Sequence, residues 1–464
     1  MIAPARRAAY ESLVAVLTDT VDLATSLERA RRRLDDPRDR ALATEIATGT
    51  ERWRATLDHF IRACSGRELD RIDPEILTIL RLSLYQLRHL SRVPAAAVVD
   101  DAVGLAKQAG KRSAGAFVNA VLRTWSRRRH ALGLPPRPAN TDDRQAALAY
   151  LSVTLSHPRW LVERWLDRVG FERAERWLQF NNAVPPVTLR PNRLRTSPED
   201  LVSRLRELGL TVERGRYAPD ALIVTRRAGG EGARAGEPLA FDRGALRGLA
   251  VVQDEASQLM TLLAGPHPGP RVFDTCAAPG SKTTALAAAL APGGSIVACD
   301  VRSRRLRMLR HALDEAGATG VHLVQADLCH PAPFTTTFDC VFVDAPCSGL
   351  GTLRRDPDIK WRRQPHDLEA MARTQRQLLR HAAAAVSPGG RLVYATCSTE
   401  PEEDDDIADY AAAIPGFHRV DARDTHPALP PSVVDATGAV RTTPYDHDLE
   451  GFYGAAFDRS AAEG

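Results

Sequence analysis

No stretch of the chain offers the ~20 consecutive apolar residues that a membrane-spanning helix needs. Its opening, "MIAPARRAAYESLVAVLTDTVD", lacks the cleavage pattern of a secretory signal, so a cytoplasmic protein is expected. Cysteine is sparse and scattered, at Cys64, Cys276, Cys299, Cys329, Cys340, Cys347 and Cys397. The odd count argues against a disulfide framework, and no two have the Cys-x-x-Cys spacing of a structural zinc site. No structural metal is expected. Two glycine signatures are missing as well. Without GxGxxG a dinucleotide cofactor is disfavoured, and without GxxxxGK[ST] so is a phosphate loop. Strong charge of one sign is absent too: the net charge is only +4.

What charge there is lies unevenly. Residues 1–150 hold 25 Lys or Arg against 18 Asp or Glu, a local excess of +7 that leaves −3 for the remainder. Arginines cluster in "RARRRL" (29–34) and "RTWSRRRH" (123–130). Such a surface suits a polyanion, because guanidinium forks match phosphate, although a solvated helical face would read the same way.

At 464 residues, two or three domains are expected. Apolar residues recur at three and four over 1–135, which predicts an all-helical module, with Pro74 and Pro94 near helix starts. "HALGLPPRPANTDD" then breaks the pattern, and 136–144 reads as a linker. Residues 145–250 read as a small α/β subdomain with further helix at its start, and its "RRAGGEGARAGEP" reads as a loop. From 251 to 464 strands alternate with helices, the rhythm of an α/β domain with a mostly parallel sheet. Ligands of such sheets bind beyond the carboxyl ends of the strands, where Asp274, Asp300, Asp327, Asp344 and Cys397 all fall.

The turn in "DTCAAPGSK" has one glycine, Gly280, and suits a nucleoside with an amino-acid tail better than a pyrophosphate. Asp300, ending the next strand, stands where an acid accepts a ribose hydroxyl, and Asp327 could hold an adenine or ribose edge. S-adenosylmethionine is the cofactor these features favour. Singly, any of these acids could instead cap a helix or turn. "DAPCSGLG" (344–351) and "TCST" (396–399) add two cysteines, Cys347 and Cys397, each just past an apolar strand in a polar turn.

These motifs resemble the RNA cytosine-5 methyltransferases, and over nearly the whole chain the bacterial 16S rRNA enzymes of the Sun/Fmu group. "DTCAAPGSKT", "DAPCSGLGTLRRDPD" and "TCST" carry the resemblance, with "VTLRPNRLRT" and "VVQDEASQL" similar to the family's subdomain and entry segment. The helical module resembles a NusB-type RNA-binding domain. The resemblance implies a Rossmann-like S-adenosylmethionine-dependent methyltransferase domain. It implies that Cys276, Ala277, Ala278, Pro279, Gly280, Ser281 and Lys282 wrap the methionine end of the cofactor, Asp300 takes the ribose with Arg305 nearby, Asp327 neighbours the adenine, and Asp344 lies between cofactor and base. Cys397 is implied as the nucleophile and Cys347 as its assistant in release, with Asp344 and Lys282 completing the catalytic set. Sequence chemistry alone does not choose between the cysteines, since the analogous DNA enzymes use the "PC" cysteine. Ser281, where the family usually has glycine, and Glu450 and Tyr453, in a segment usually written Asp-Gly-Phe-Phe, are departures. That last segment is expected to close the sheet.

The activity implied is methylation of C5 of a cytosine in small-subunit rRNA, at cytosine 967 in the usual rRNA numbering, by a monomer. The same chemistry on transfer RNA or another rRNA site is an alternative, and a non-catalytic RNA-binding or antitermination factor is a second. Arg354, Arg355, Lys360, Arg362 and Arg363, beside the "PC" loop, are expected to meet substrate phosphates, as are Arg190, Asn192 and Arg195. Trp361 is expected to pack or to stack on a base. Cys64, Cys299, Cys329 and Cys340 are expected as small core residues, and Cys276 as a shaper of backbone.

Overall fold

The apolar spacing from Pro4 to Arg128 folds as helices: Pro4–Leu17, Leu23–Arg31, Pro37–Arg52, Arg54–Ser65, Pro74–His89, Ala95–Gln108 and Gly115–Arg128. Local chemistry starts several of them. Asp36 and Asp73 each cap a helix whose first residue is proline, and the Asp73 carboxylate accepts the Glu75 N–H at 3.0 Å. Their apolar faces meet in a core that includes Ile46, Leu57, Phe60, Ile79, Leu80 and Leu122. In this computed structural model residues 2–18, 21–227 and 243–461 are described. Residues 228–238 of the expected loop "RRAGGEGARAGEP" lie outside them.

The chain forms two compact units. One comprises Met1–Ala183 with Leu353–Arg362, the other Val184–Thr352 with Arg363–Gly464. The helices Arg144–Ala149 and Arg159–Asn182, read from sequence as the start of the small α/β subdomain, thus belong to the first unit. The Thr56 hydroxyl donates to the Val153 carbonyl at 2.7 Å, and Trp165 stacks on Trp177 with centroids 3.9 Å apart. Gly170, at φ 75°, breaks the second of these helices with a backbone that favours glycine.

The second unit opens with a four-stranded antiparallel sheet of β1 (Val187–Pro191), β2 (Leu210–Arg214), β3 (Leu222–Arg227) and β4 (Ala250–Val252), in the order β2-β3-β1-β4. The helix Pro198–Glu207, capped by Ser197, supplies Leu201 and Leu205 to a core shared with Leu189, Leu222 and Val224.

The larger sheet follows the alternating rhythm. Its strands are β5 (Arg271–Asp274), β6 (Ser295–Asp300), β7 (Val321–Gln325), β8 (Phe338–Asp344), β9 (Val386–Thr396), β10 (Phe417–Val420), β11 (Val440–Thr442) and β12 (Phe452–Arg459). They run in the order β10-β12-β9-β8-β5-β6-β7, with β11 also on β12. β7, β6, β5, β8 and β9 are parallel neighbours, whereas β12 is antiparallel to β9. Val272, Phe273, Val341, Phe342 and Val343 are wholly buried, as strands covered on both faces require. The order reverses at β5, between β6 and β8, so a crevice is expected beyond the ends of these strands. "FYGAAFDR" enters the sheet as β12, between β9 and β10, so it does not close the edge as expected. Among the described residues no helix is long and apolar enough to cross a membrane.

Candidate active site

β5 ends in Asp274, which is completely buried. Its Oδ2 accepts the Thr283 hydroxyl at 2.7 Å, while Oδ1 has no hydrogen-bond partner among the described residues. Burial pushes its pKa up to about 7, with the Asp344 and Asp300 carboxylates adding to the rise and the Thr283 bond opposing it.

The turn that follows is tied to both neighbouring strands: Thr275 N–H donates to Phe342 O at 2.9 Å and Ala277 N–H to Cys299 O at 2.8 Å. Gly280 sits at φ 113°, and a Cβ there would lie 2.8 Å from Leu309 Cδ1. The positive φ is what requires glycine, since the Leu309 methyl could move aside. Ser281 begins the next helix, Ser281–Ala289, outside the left-handed region, so a serine fits there without strain. Cys276 is pushed up to about 12, by burial first, which suits a structural thiol rather than a reactive one.

Asp300 ends β6 almost fully buried, accepting Arg302 N–H at 3.0 Å and facing Arg305 Nε at 3.3 Å. Arg305 also donates to Ala278 O at 2.5 Å, so one guanidinium joins the turn to the β6 acid. Asp327, past β7, is exposed and accepts Cys329 N–H at 2.9 Å.

Beyond β8 and β9 the remaining groups converge. Lys282 Nζ lies 2.7 Å from Asp344 Oδ2 and 5.7 Å from the Phe452 ring centroid. Cys347 Sγ lies 3.3 Å from Cys397 Sγ, both thiols free. The parallel register accounts for this, since Ala345 N–H bonds to Ala395 O at 2.9 Å and carries both turns out side by side. Gly351 N–H then donates to Cys397 O at 3.0 Å, and a Cβ on Gly351 would lie 1.8 Å from the Gly451 carbonyl oxygen. Only a residue without a side chain permits that approach.

The electrostatics separate the two sulfurs. Cys347 is raised well above the ordinary thiol range by its hydrogen bond to Cys397, then by burial, then by the charges of Cys397 and Glu403. Burial works against the Lys282 charge, yet Asp344, Cys397 and Asp274 outweigh it and hold the ammonium above its usual range.

Several expected RNA contacts are corrected. Arg190 is buried: its Nε donates to Gln253 at 2.7 Å and its Nη2 to Ser281 O and Thr284 Oγ1, each at 2.9 Å. Asn192 donates to Gly248 O and Ala316 O; Arg195 donates through Nε to Ala316 O but is otherwise exposed, which leaves it available for its expected RNA contact. These side chains clamp the small sheet to the helix that follows the Gly280 turn and to a neighbouring helix end. In the first unit, Lys360 is only 1% exposed and donates to Arg52 O at 2.8 Å and Ser156 O at 2.7 Å. Trp361 packs, its Nε1 donating to Glu51 O at 2.7 Å, and Arg354 lies over the Phe180 ring. Arg363, in the second unit, donates to Ser348 O at 2.8 Å. Backbone carbonyls, not phosphates, take up the Lys360 ammonium and the Trp361 Nε1, and one takes the Arg363 Nε.

Cys299 and Cys340 are buried core thiols, while Cys64 and Cys329 are half-buried. Sequence reading passed over Glu403, which lies in an acidic run without a spacing signature and is completely buried behind both cysteine turns.

Comparison with known proteins places these features. A family described as "16S rRNA methyltransferase RsmB/F" matches residues 260–458, the NusB family matches 3–127, and an RsmF/B-like ferredoxin-like domain matches 157–229. The chain is 32% identical to the ribosomal RNA small subunit methyltransferase B of Pseudomonas syringae, over 99% of this chain and 97% of that one. The chain belongs to the RsmB/F family of 16S rRNA methyltransferases. A second relative, of the same description from Pseudomonas putida, is 34% identical over 90% of this chain and 91% of its own. The solved structure of a methyltransferase homologue from Pyrococcus horikoshii is 29% identical, with TM-score 0.57, over 68% of this chain and 99% of that one. This family member is thus an enzyme, a methyltransferase with a NusB-like helical region. The resemblance drawn from its three core motifs holds.

Proposed function

We propose that the protein methylates C5 of a cytosine in small-subunit rRNA, at cytosine 967, through a covalent bond between Cys397 and C6 of the base, with S-adenosylmethionine as methyl donor. The observation that carries this reading is the pair of thiols 3.3 Å apart beside the Lys282–Asp344 ion pair. C5 of cytosine is a weak nucleophile, and a thiolate added at C6 makes it enamine-like. Cys397 is read as the attacking sulfur, with the Cys347 sulfur 3.3 Å away as a partner for proton transfer and the Lys282 ammonium interacting with Cys397. Asp344, oriented by Lys282, is in place to hydrogen-bond the base at N3 or N4.

Release follows from the same pair. Once Cys397 is bonded to carbon, its hydrogen bond with Cys347, the largest cause of the high Cys347 pKa, is lost. Cys347 then loses its proton more readily and, as thiolate, can take the C5 proton while the C6–S bond breaks.

The residues fit the donor. The single-glycine turn makes no phosphate cradle, and the orphaned buried Asp274 Oδ1 is an acceptor that a ligand's amino group would satisfy. Cys276, Ala277, Ala278, Pro279, Gly280, Ser281 and Lys282 would enclose the methionine end, Asp300 with Arg305 the ribose, Asp327 the adenine edge, and Asp344 the side facing the base. When bound, S-adenosylmethionine supplies a sulfonium methyl as the electrophile.

The test uses both cysteine variants. Incubated with unmethylated small-subunit rRNA and S-adenosylmethionine, Cys347→Ala should accumulate a denaturant-resistant protein–RNA complex, and Cys397→Ala should form none and methylate nothing. Bisulfite sequencing reads the target. A complex with Cys397→Ala alone would reverse the assignment, and modification of transfer RNA or another rRNA cytosine would replace the proposed site.

A further inference from the structure

Behind the two thiols lies a carboxylate that the proposed chemistry does not use. Glu403 Oε1 accepts the Ser348 N–H at 2.8 Å and Gln375 Nε2 at 3.1 Å. Its Oε2 accepts the hydroxyls of Ser348 at 2.5 Å and Ser398 at 2.6 Å. Ser348 follows Cys347 in the chain, and Ser398 follows Cys397. One oxygen atom therefore holds both cysteine turns. The Gln375 amide also donates to Pro346 O at 3.0 Å, which secures the residue before Cys347. Glu403 itself is fixed by the Tyr394 hydroxyl, which donates to its carbonyl at 2.6 Å, and by its N–H on Glu400 O at 2.9 Å.

We infer that Glu403 is a positioning residue that sets the separation of Cys347 and Cys397 by binding the serine after each. The inference rests on the reading of these cysteines as nucleophile and proton acceptor. Every group facing the carboxylate is a donor, and a carboxylate has the lone pairs to accept all four bonds. A glutamine can replace it in part, because the serine hydroxyls can rotate to accept from its amide while the Ser348 backbone N–H cannot reverse. Alanine would release both turns together. Misplacement of reacting groups by an ångström is enough to slow a reaction strongly.

Sulfur separation can be read without turnover. Diamide takes two hydrogens from adjacent thiols and leaves a disulfide, so the rate of Cys347–Cys397 linkage, followed by mass spectrometry, measures their proximity. Glu403→Ala should link at least about tenfold more slowly than the parent and Glu403→Gln within about threefold, with kcat falling alongside and the KM for rRNA unchanged. Calorimetric S-adenosylmethionine affinity within about twofold of the parent shows that the fold is kept. Linkage in Glu403→Ala as fast as in the parent overturns the inference. If that variant does not bind S-adenosylmethionine, the double variant Ser348→Ala/Ser398→Ala answers the same question, and parental linkage there overturns it equally. A parent enzyme that links rapidly, together with a Cys347→Ala variant that never forms an rRNA adduct, would refute the covalent mechanism, while the linkage rates would still decide the role of Glu403.

Discussion

Asp274 shows how a single buried carboxyl can make stability depend on pH. Its folded-state pKa of about 7 lies above the ordinary ~4, so the folded state binds the proton more tightly than the unfolded one. The resulting stabilisation is complete below pH ~4, shrinks as pH rises toward 7, and is gone above; its size is on the order of 4 kcal/mol. Asp274→Asn, which cannot titrate, should therefore gain stability relative to the parent between pH 5 and pH 8. Urea unfolding of the ligand-free proteins, followed in the second unit by hydrogen exchange of β5 and β8, measures it. A difference that does not move with pH would show that Asp274 ionises normally. The acids and cysteines of this site were legible in the sequence because each sits at a strand end. Glu403 was not, because an acidic run such as "TEPEEDDD" reads as a solvated face, although Glu400, Glu403 and Asp404 are all buried.

Among the elements, β1 does more than build the small sheet. Arg190 reaches from it to Ser281 O and Thr284 Oγ1, at the start of the helix that follows the cofactor turn. Arg190→Met keeps much of the apolar stem and removes these bonds, at a cost of about 1–3 kcal/mol. Calorimetry should show S-adenosylmethionine affinity falling by about tenfold or more, with rRNA affinity little changed. Loss of rRNA affinity alone would return Arg190 to the nucleic-acid contact that its charge suggested. A cationic strand end looks the same in sequence whether it faces phosphate or carbonyls; the partners, Gln253 and Ser281, lie 63 and 91 residues further along. The parallel strands were easier to read, since runs such as "FDCVFVDAP" need cover on both faces.

At the scale of the molecule, the first unit is built from two separate lengths of chain, Met1–Ala183 and Leu353–Arg362. Lys360 joins them through two carbonyls, and burial holds its pKa well below the usual lysine range. Lys360→Ala leaves both carbonyls unsatisfied around a cavity and should destabilise this unit by about 2–5 kcal/mol. All six tryptophans (Trp53, Trp125, Trp160, Trp165, Trp177 and Trp361) lie in it, so tryptophan fluorescence reports its unfolding directly. An unchanged denaturation midpoint would mean that the Lys360 bonds contribute nothing net. Helical periodicity gave the module but not its extra segment, because "LRRDPDIKWR" carries no sign of which partner it packs against.

That divided construction also orders events during synthesis. When the ribosome has made the first 183 residues, the helical unit still lacks Lys360 and Trp361, and the carbonyls of Glu51, Arg52 and Ser156 wait for donors encoded far downstream. The small sheet and the strands β5 to β8 emerge in the interval. The first unit to begin is therefore unable to finish until much of the second has left the ribosome.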